Sequence, residues 1–410
     1  MTAAVNVHKT GSVITMLFLI MFLIGTDTFI VSPLLPAIQS EFHMHADRSG
    51  WLVGAYALGY SVFALIAGPL SDRLDRRNVM LIGLTGFAAA TFLCGFTWSF
   101  GSMVLFRLIA GMCAAMVTPQ VWAAVPMLVP PAQLLRTMGF VTAGLAGSQA
   151  LGVPLGAWLA DIGSWQLPFW TLGIAGLVMA AGIAIQVPPL PSVRTSTTGS
   201  TPSRHSFLSG YRQLLSLPAA RYSFTAYFLF QLGNFGAFSY IGTWLHDRYQ
   251  ASVGEAGTII MALGVGNLMG SVFGSRWTQR IGIRTSLYSG ILVIAFLYVV
   301  LSQSPGLITA RVLGFLMFTA AGAVFPIMMT ILQSYVPSAR GLSAALSNSI
   351  MYLGTTAGSA MAGWLYVHSG GFLSVTTAAA GLFVLSVLFW MVGSRPMQRH
   401  SDTSPSQGLL

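Results

Sequence analysis

The sequence predicts an all-α membrane protein with twelve transmembrane helices in two six-helix halves. Three observations predict it. Hydrophobic residues make up 55% of the 410 positions and charged residues 7%, with a mean hydropathy of +0.75. That is far too little charge to clothe a water-soluble domain. Apolar runs of 18–25 residues recur from end to end, the length a helix needs to cross a hydrocarbon core. Short stretches of the first half find weak echoes, in the same order, in the second.

The runs fall at 12–36, 50–70, 79–97, 101–124, 136–160 and 166–188, then at 221–245, 256–276, 284–302, 306–330, 340–365 and 371–393. Runs this long are helices, because a single segment in lipid must satisfy its own backbone. The first is too long for the apolar region of a signal peptide and has no clear small-x-small cleavage site, so it is expected to stay as the first span. With the amino terminus in the cytoplasm, fifteen Lys and Arg residues fall in cytoplasmic connections, and only Arg48 and Arg248 lie outside. That bias places both termini inside. The net charge of +10 is then mostly a topology signal, with some attraction to anionic lipid, and no nucleic-acid partner is expected. Residues 1–188 form the first half and 221–395 the second. Between them, the Ser-, Thr- and Pro-rich 189–220 reads as a flexible cytoplasmic linker, and 396–410 reads as a disordered cytoplasmic tail.

Cys94 and Cys113 lie inside apolar runs, as small core residues do. There is no Cys-x-x-Cys or His-Glu-x-x-His pattern, so no metal is expected. There is no Gly-x-x-x-x-Gly-Lys-Ser/Thr loop either, so energy should come from an ion gradient rather than from a nucleotide or other cofactor. No catalytic constellation or soluble domain is visible, which argues against an enzyme or a receptor.

Three echoes support a duplication. FLIGTDTF (22–29) aligns with FQLGNFGA (230–237), Arg107 with Arg311, and GVPLGAWL (152–159) with GSAMAGWL (358–365). In the first of these, Asp27 is a carboxylate inside an otherwise apolar helix. Such a charge needs a partner or water. The first helix runs outward and the fourth inward, which puts Asp27 and Arg107 at similar depth, roughly 9 Å from the outer end at 1.5 Å per residue.

Four motifs resemble the major facilitator superfamily. GPLSDRLDRR (68–77) is similar to its loop signature Gly-x-x-x-Asp-Arg-x-Gly-Arg-Arg, with Asp75 in place of the second Gly. RLIAGMCAA (107–115) resembles its Arg-x-x-x-Gly-x-x-x-Ala motif. GLAGSQALGVPLGAW (144–158) resembles the glycine motif of drug–proton antiporters, with the Pro displaced by one. LGVPLG and LIGTDTFIVSPLLPAI resemble the branch that exports arabinose, chloramphenicol and purine nucleosides.

The resemblance implies two halves related by a pseudo-two-fold axis that rock about a central site. Gly68, Asp72, Arg73, Arg76 and Arg77 would latch one state. Gly144, Gly152, Pro154 and Gly156 would allow close packing and a bend in the fifth helix. Asp27 and Arg107 would be a direct pair or two charges facing one water-filled space, with desolvation favouring the neutral acid and the guanidinium favouring the carboxylate. Candidate cavity residues are Tyr56, Gln120, Trp122, Gln231, Asn234, Phe235, Tyr240 and Asn348. Gln231 and Asn234 stand out because their span is the counterpart of the one bearing Asp27.

The expected function is proton-coupled export of small apolar or amphipathic compounds, with substrate, protons and membrane lipid as the partners. The expected setting is a monomer in the bacterial cytoplasmic (inner) membrane. A narrow exporter of a sugar or nucleoside, or a proton-coupled nutrient importer, are the alternatives.

Overall fold

The computed structural model describes residues 7–71, 75–187, 211–335 and 340–401. Among the described residues the elements are helices, and they occupy all twelve predicted spans. The first half comprises α1 (Val7–Glu41), α2 (Ala46–Ser71), α3 (Arg76–Cys94), α4 (Phe100–Leu128), α5 and α6 (Leu167–Gln186). Helix α5 is composite, running through Pro131–Gly147, a π-helical turn at Ser148–Gly152, and Val153–Ile162. The second half comprises α7, α8 (Val253–Ile281), α9 (Ile283–Ser302), α10 (Leu307–Ser334), α11 (Arg340–His368) and α12 (Phe372–Ser401). Helix α7 is broken at Tyr240, into Pro218–Ser239 and Ile241–Tyr249. Residues 189–210 of the expected linker lie outside the described residues, while 211–216 are helical. The last helix continues to Ser401, beyond residue 395, and 402–410 lie outside the described residues.

Local chemistry fixes several helix starts. Ser99 and Ser252 each form a reciprocal capping box, with Ser102 and Glu255, which satisfies backbone donors that have no partner inside the helix. Asp75 is the N-cap of α3 and accepts from the backbone of Arg77 at 2.8 Å and Asn78 at 3.4 Å. The residue that departs from the loop signature thus begins a helix. Within the spans, Thr26 and Thr28 return their hydroxyls to carbonyls one turn back, which satisfies a polar group in an apolar setting.

Packing follows the duplication. In the first half α1 packs on α5 and α6, α2 on α4, and α3 on α4 and α6. Six helices later, α7 packs on α11 and α12, α8 on α10, and α9 on α10 and α12. The echo of Gly152 in Gly358 has the same basis. A Cβ at Gly152 would overlap the Thr26 side chain of α1, and one at Gly358 would overlap the Leu232 carbonyl of α7.

The halves meet along α2–α11 and α5–α8, which are mates under the repeat, and along α1–α7. Among the described residues nine helices are long and apolar enough to cross a membrane. The other three, α2, α7 and α11, supply much of the polar seam. Ser61 and Ser349 exchange hydroxyl–carbonyl bonds at 2.9 and 3.0 Å, and Thr356 donates to the Gly54 carbonyl at 3.2 Å. Tyr240 donates to the Ala46 carbonyl at 2.6 Å, and Ser32 donates to the Phe238 carbonyl at 2.8 Å. These contacts run from mid-depth to the end of the bundle where α2 begins at Ala46.

Candidate functional site

Asp27 and Arg107 form a direct ion pair. The guanidinium Nη1 lies 2.8 Å from Asp27 Oδ2, and both side chains are fully buried. The geometry uses most of what an arginine offers. Its Nη2 donates to the Asp27 carbonyl at 3.3 Å, its Nε donates to the Leu52 carbonyl at 3.3 Å, and its Cζ sits 4.5 Å from the centre of the Tyr56 ring. A desolvated cation over an aromatic face gains about 2 kcal/mol. The other carboxylate oxygen accepts from Thr91 Oγ1 at 3.4 Å. The pair is therefore enclosed by α1, α2, α3 and α4, inside the first half. It does not line the seam.

One residue further along α1, Thr28 faces that seam, where it bonds the Tyr352 phenol of α11. Thr28 Oγ1 lies 3.2 Å from the Tyr56 hydroxyl. Tyr60, one turn along α2 from Tyr56, is buried and stacks on Tyr352 of α11, with ring centroids 3.7 Å apart. Phe29 of α1 and Phe235 of α7 form a second near-parallel pair across the seam, at 6.3 Å. Gln231 donates to the Tyr227 hydroxyl at 2.7 Å, and Asn234 accepts from Tyr298 at 3.1 Å. Tyr240 braces the break in α7 against the start of α2. Trp122 is half-buried in the first half, and Asn348 is exposed on α11.

The Major Facilitator Superfamily model matches residues 17–318 and 224–408. The chain belongs to the major facilitator superfamily. It is similar to the uncharacterized MFS-type transporter YceJ of Bacillus subtilis, at 47% identity over 95% of this chain and 98% of that protein. It is 22% identical to the quinolone resistance protein NorA of Staphylococcus aureus (strain MRSA252), over 91% of this chain and 96% of that one. Among solved structures, a D-xylose-proton symporter superposes with a TM-score of 0.75 at 19% identity, over 93% of this chain and 97% of that one. At that identity the likeness shows the fold alone. The protein is a multi-pass membrane transporter, not an enzyme.

Within this facilitator fold the remaining motif residues find places. Gly68 lies in α2, whereas Asp72 and Arg73 fall outside the described residues. Arg76 donates to Gln120 Oε1 of α4 at 3.4 Å, and Arg77 donates to the Ala184 carbonyl of α6. Both of these contacts stay inside the first half. Of the glycine motif, a Cβ at Gly144 would overlap the Phe18 carbonyl, and one at Gly156 would come within 2.6 Å of Ile30. The motif seats α5 on α1. Pro154 follows the π turn directly, where its missing N–H leaves the helical ladder free to widen. The turn presents Gln149 to α8, where it accepts from Asn267 at 3.2 Å.

Sequence reasoning missed Thr91 and Tyr60. A threonine inside an apolar run carries no signal of its own. Tyr60 does: it lies four residues from Tyr56, on the same helical face.

Proposed function

We propose that this transporter is a proton-coupled exporter of small apolar or amphipathic compounds, working as a monomer in a bacterial cytoplasmic membrane with both termini in the cytoplasm. The observation that carries the reading is the Asp27–Arg107 pair. Of nine acidic residues, Asp27 alone lies deep within a span, and its partner also holds α2, a seam helix, through Leu52 and Tyr56.

A proton on Asp27 removes the charge that anchors Arg107. The guanidinium is then held by neutral partners alone, a looser hold that lets α2 repack against α11. Loss of the proton restores the pair and the original seam. Proton and substrate thus act on the same boundary from its two sides. The outward direction of substrate movement rests on the likeness to a resistance protein and on the antiporter-type glycine motif.

Reconstituted vesicles with an imposed pH gradient test this. Substrate-triggered proton movement is expected in the wild type and is abolished in Asp27→Asn, which still inserts and folds. Arg107 keeps the Leu52 and Asp27 carbonyls and the Tyr56 face in that variant, so its charge is not left bare. Coupled transport at the wild-type rate by Asp27→Asn would remove the pair from the mechanism. Uptake of substrate with the proton, rather than exchange against it, would make the protein an importer.

A further inference from the structure

We propose that the Tyr60–Tyr352 stack is a binding slot for flat, uncharged aromatic compounds. Taking the guest to be transported cargo rests on the exporter reading; the slot itself rests on geometry.

The two rings come from opposite halves and meet at mid-depth, Tyr60 next to Ser61 and Tyr352 three residues from Ser349 of the hydroxyl–carbonyl exchange. Their centroids are 3.7 Å apart with an interplanar angle of 25°. That separation is close to the thickness of a ring and tighter than aromatic pairs usually adopt, so the two faces are pressed together. Faces held this close set two negative π-systems against each other, and aromatic pairs prefer wider offset or edge-on arrangements. A flat guest that parts the rings replaces one poor sandwich with two adjustable stacks. Nothing covalent resists the parting, since Tyr60 belongs to α2 and Tyr352 to α11. Tyr352 is only partly buried, whereas Tyr60 is buried.

The surroundings set the guest's charge. Asp27, the acid within the spans, is already held by Arg107 at 2.8 Å, which leaves no free carboxylate at the slot among the described residues. An anion would have to enter a seam of neutral groups, since the deep guanidinium of Arg107 is fully buried and committed to Asp27. An uncharged ring system incurs neither penalty. The Tyr60 phenol bonds Thr118 and the Tyr352 phenol bonds Thr28, and a polar group on the rim of such a ring would exchange for one of these bonds. The slot also reaches the ion pair through Tyr56, whose hydroxyl bonds Thr28 and whose face carries Arg107. Parting the stack moves α2, and α2 holds the arginine.

The test is equilibrium binding to the purified full-length protein in nanodiscs, followed by fluorescence anisotropy. The probes are acridone, a flat neutral tricycle, and ethidium, a flat cation. Adamantane-1-methanol, which is apolar but not flat, serves as competitor. Acridone is expected to bind saturably and more tightly than ethidium, and adamantane-1-methanol is expected not to displace it. Tyr352→Phe keeps the ring and stays within about twofold of wild type, whereas Tyr352→Leu and Tyr60→Leu weaken acridone by about threefold to tenfold. Where a Leu variant fails to fold, the order of the probes on the wild type decides. Three results each overturn the slot: no saturable acridone binding, acridone binding unchanged in a folded Leu variant, or a preference for ethidium. The exporter reading fails separately. Slot binding without substrate-triggered proton movement in vesicles keeps the slot and sinks the exporter. Proton movement driven by a non-aromatic compound in the Leu variants keeps the exporter when the slot fails.

Discussion

Arg107 and Arg311 stand at matching positions of the repeat. One is fully buried against a carboxylate, while the other is exposed and donates to Thr258 at 3.0 Å. The alignment explains the contrast. Where the first half has Asp27, the second has Phe235. Without an acid, the second arginine has no reason to enter the bundle. The second half fills its core with neutral bonds instead, such as Tyr298 to Asn234 and Gln231 to Tyr227. A neutral hydrogen bond nets about 1 kcal/mol and can be remade with another partner. A buried charge stripped of its partner costs several times that. One plan thus carries two kinds of core. The first half is fixed by charge, and the second is free to vary around whatever the seam must admit.

The largest effect is expected where charge is lost from one side only. Arg107→Ala leaves Asp27 buried with the Thr91 hydroxyl as its remaining side-chain partner, and it also removes the bond to Leu52. A loss of about 3–5 kcal/mol is expected, read as the unfolding midpoint in detergent, together with loss of transport. A near-wild-type midpoint would mean that water reaches Asp27, and the ionic description of the first half would fail.

The glycine pair reverses the ranking. A Cβ at Gly358 would overlap the Leu232 carbonyl, and backbone cannot turn away. A Cβ at Gly152 would overlap the Thr26 hydroxyl, which can rotate at the expense of its 2.8 Å bond to the Phe22 carbonyl. Gly358→Ala should therefore destabilise by about 1–3 kcal/mol, and Gly152→Ala by less. Equal losses, measured in the same unfolding assay, would show that the seat of α5 on α1 is as unyielding as that of α11 on α7.

Much of this was legible in the sequence, for definite reasons. Helix number follows from apolar run length. The depth of Asp27 and Arg107 follows from a fixed rise per residue, and the two do meet. What the sequence withholds is rotation. Helix α1 is apolar nearly all round, so no polar face tells which way Asp27 points. Its turn into the first half, and Thr28's turn toward the seam, depend on how α1 seats on α5. That seating in turn depends on Gly144, Gly152 and Gly156. The widened turn at Ser148–Gly152 is foreshadowed only by Pro154. Asp75 shows the opposite case. A departure from the family pattern was readable as a helix cap, since Asp before a helical run is a common start.

The smallest effect belongs to the second arginine, and it bears most directly on the comparison. Arg311→Ala removes an exposed side chain whose bond to Thr258 competes with water or lipid headgroups. A long arginine near a helix end can place its charge at the interface from wherever its stem lies. The change should stay within about 0.5 kcal/mol of wild type, with transport retained, when measured beside Arg107→Ala. Two residues that occupy one place in the repeat would then differ several-fold in consequence, and the difference would trace to a single carboxylate on the neighbouring helix. A loss comparable to that of Arg107→Ala would mean that this repeat position needs its guanidinium whatever it faces, and Phe235 would no longer account for the divergence of the halves.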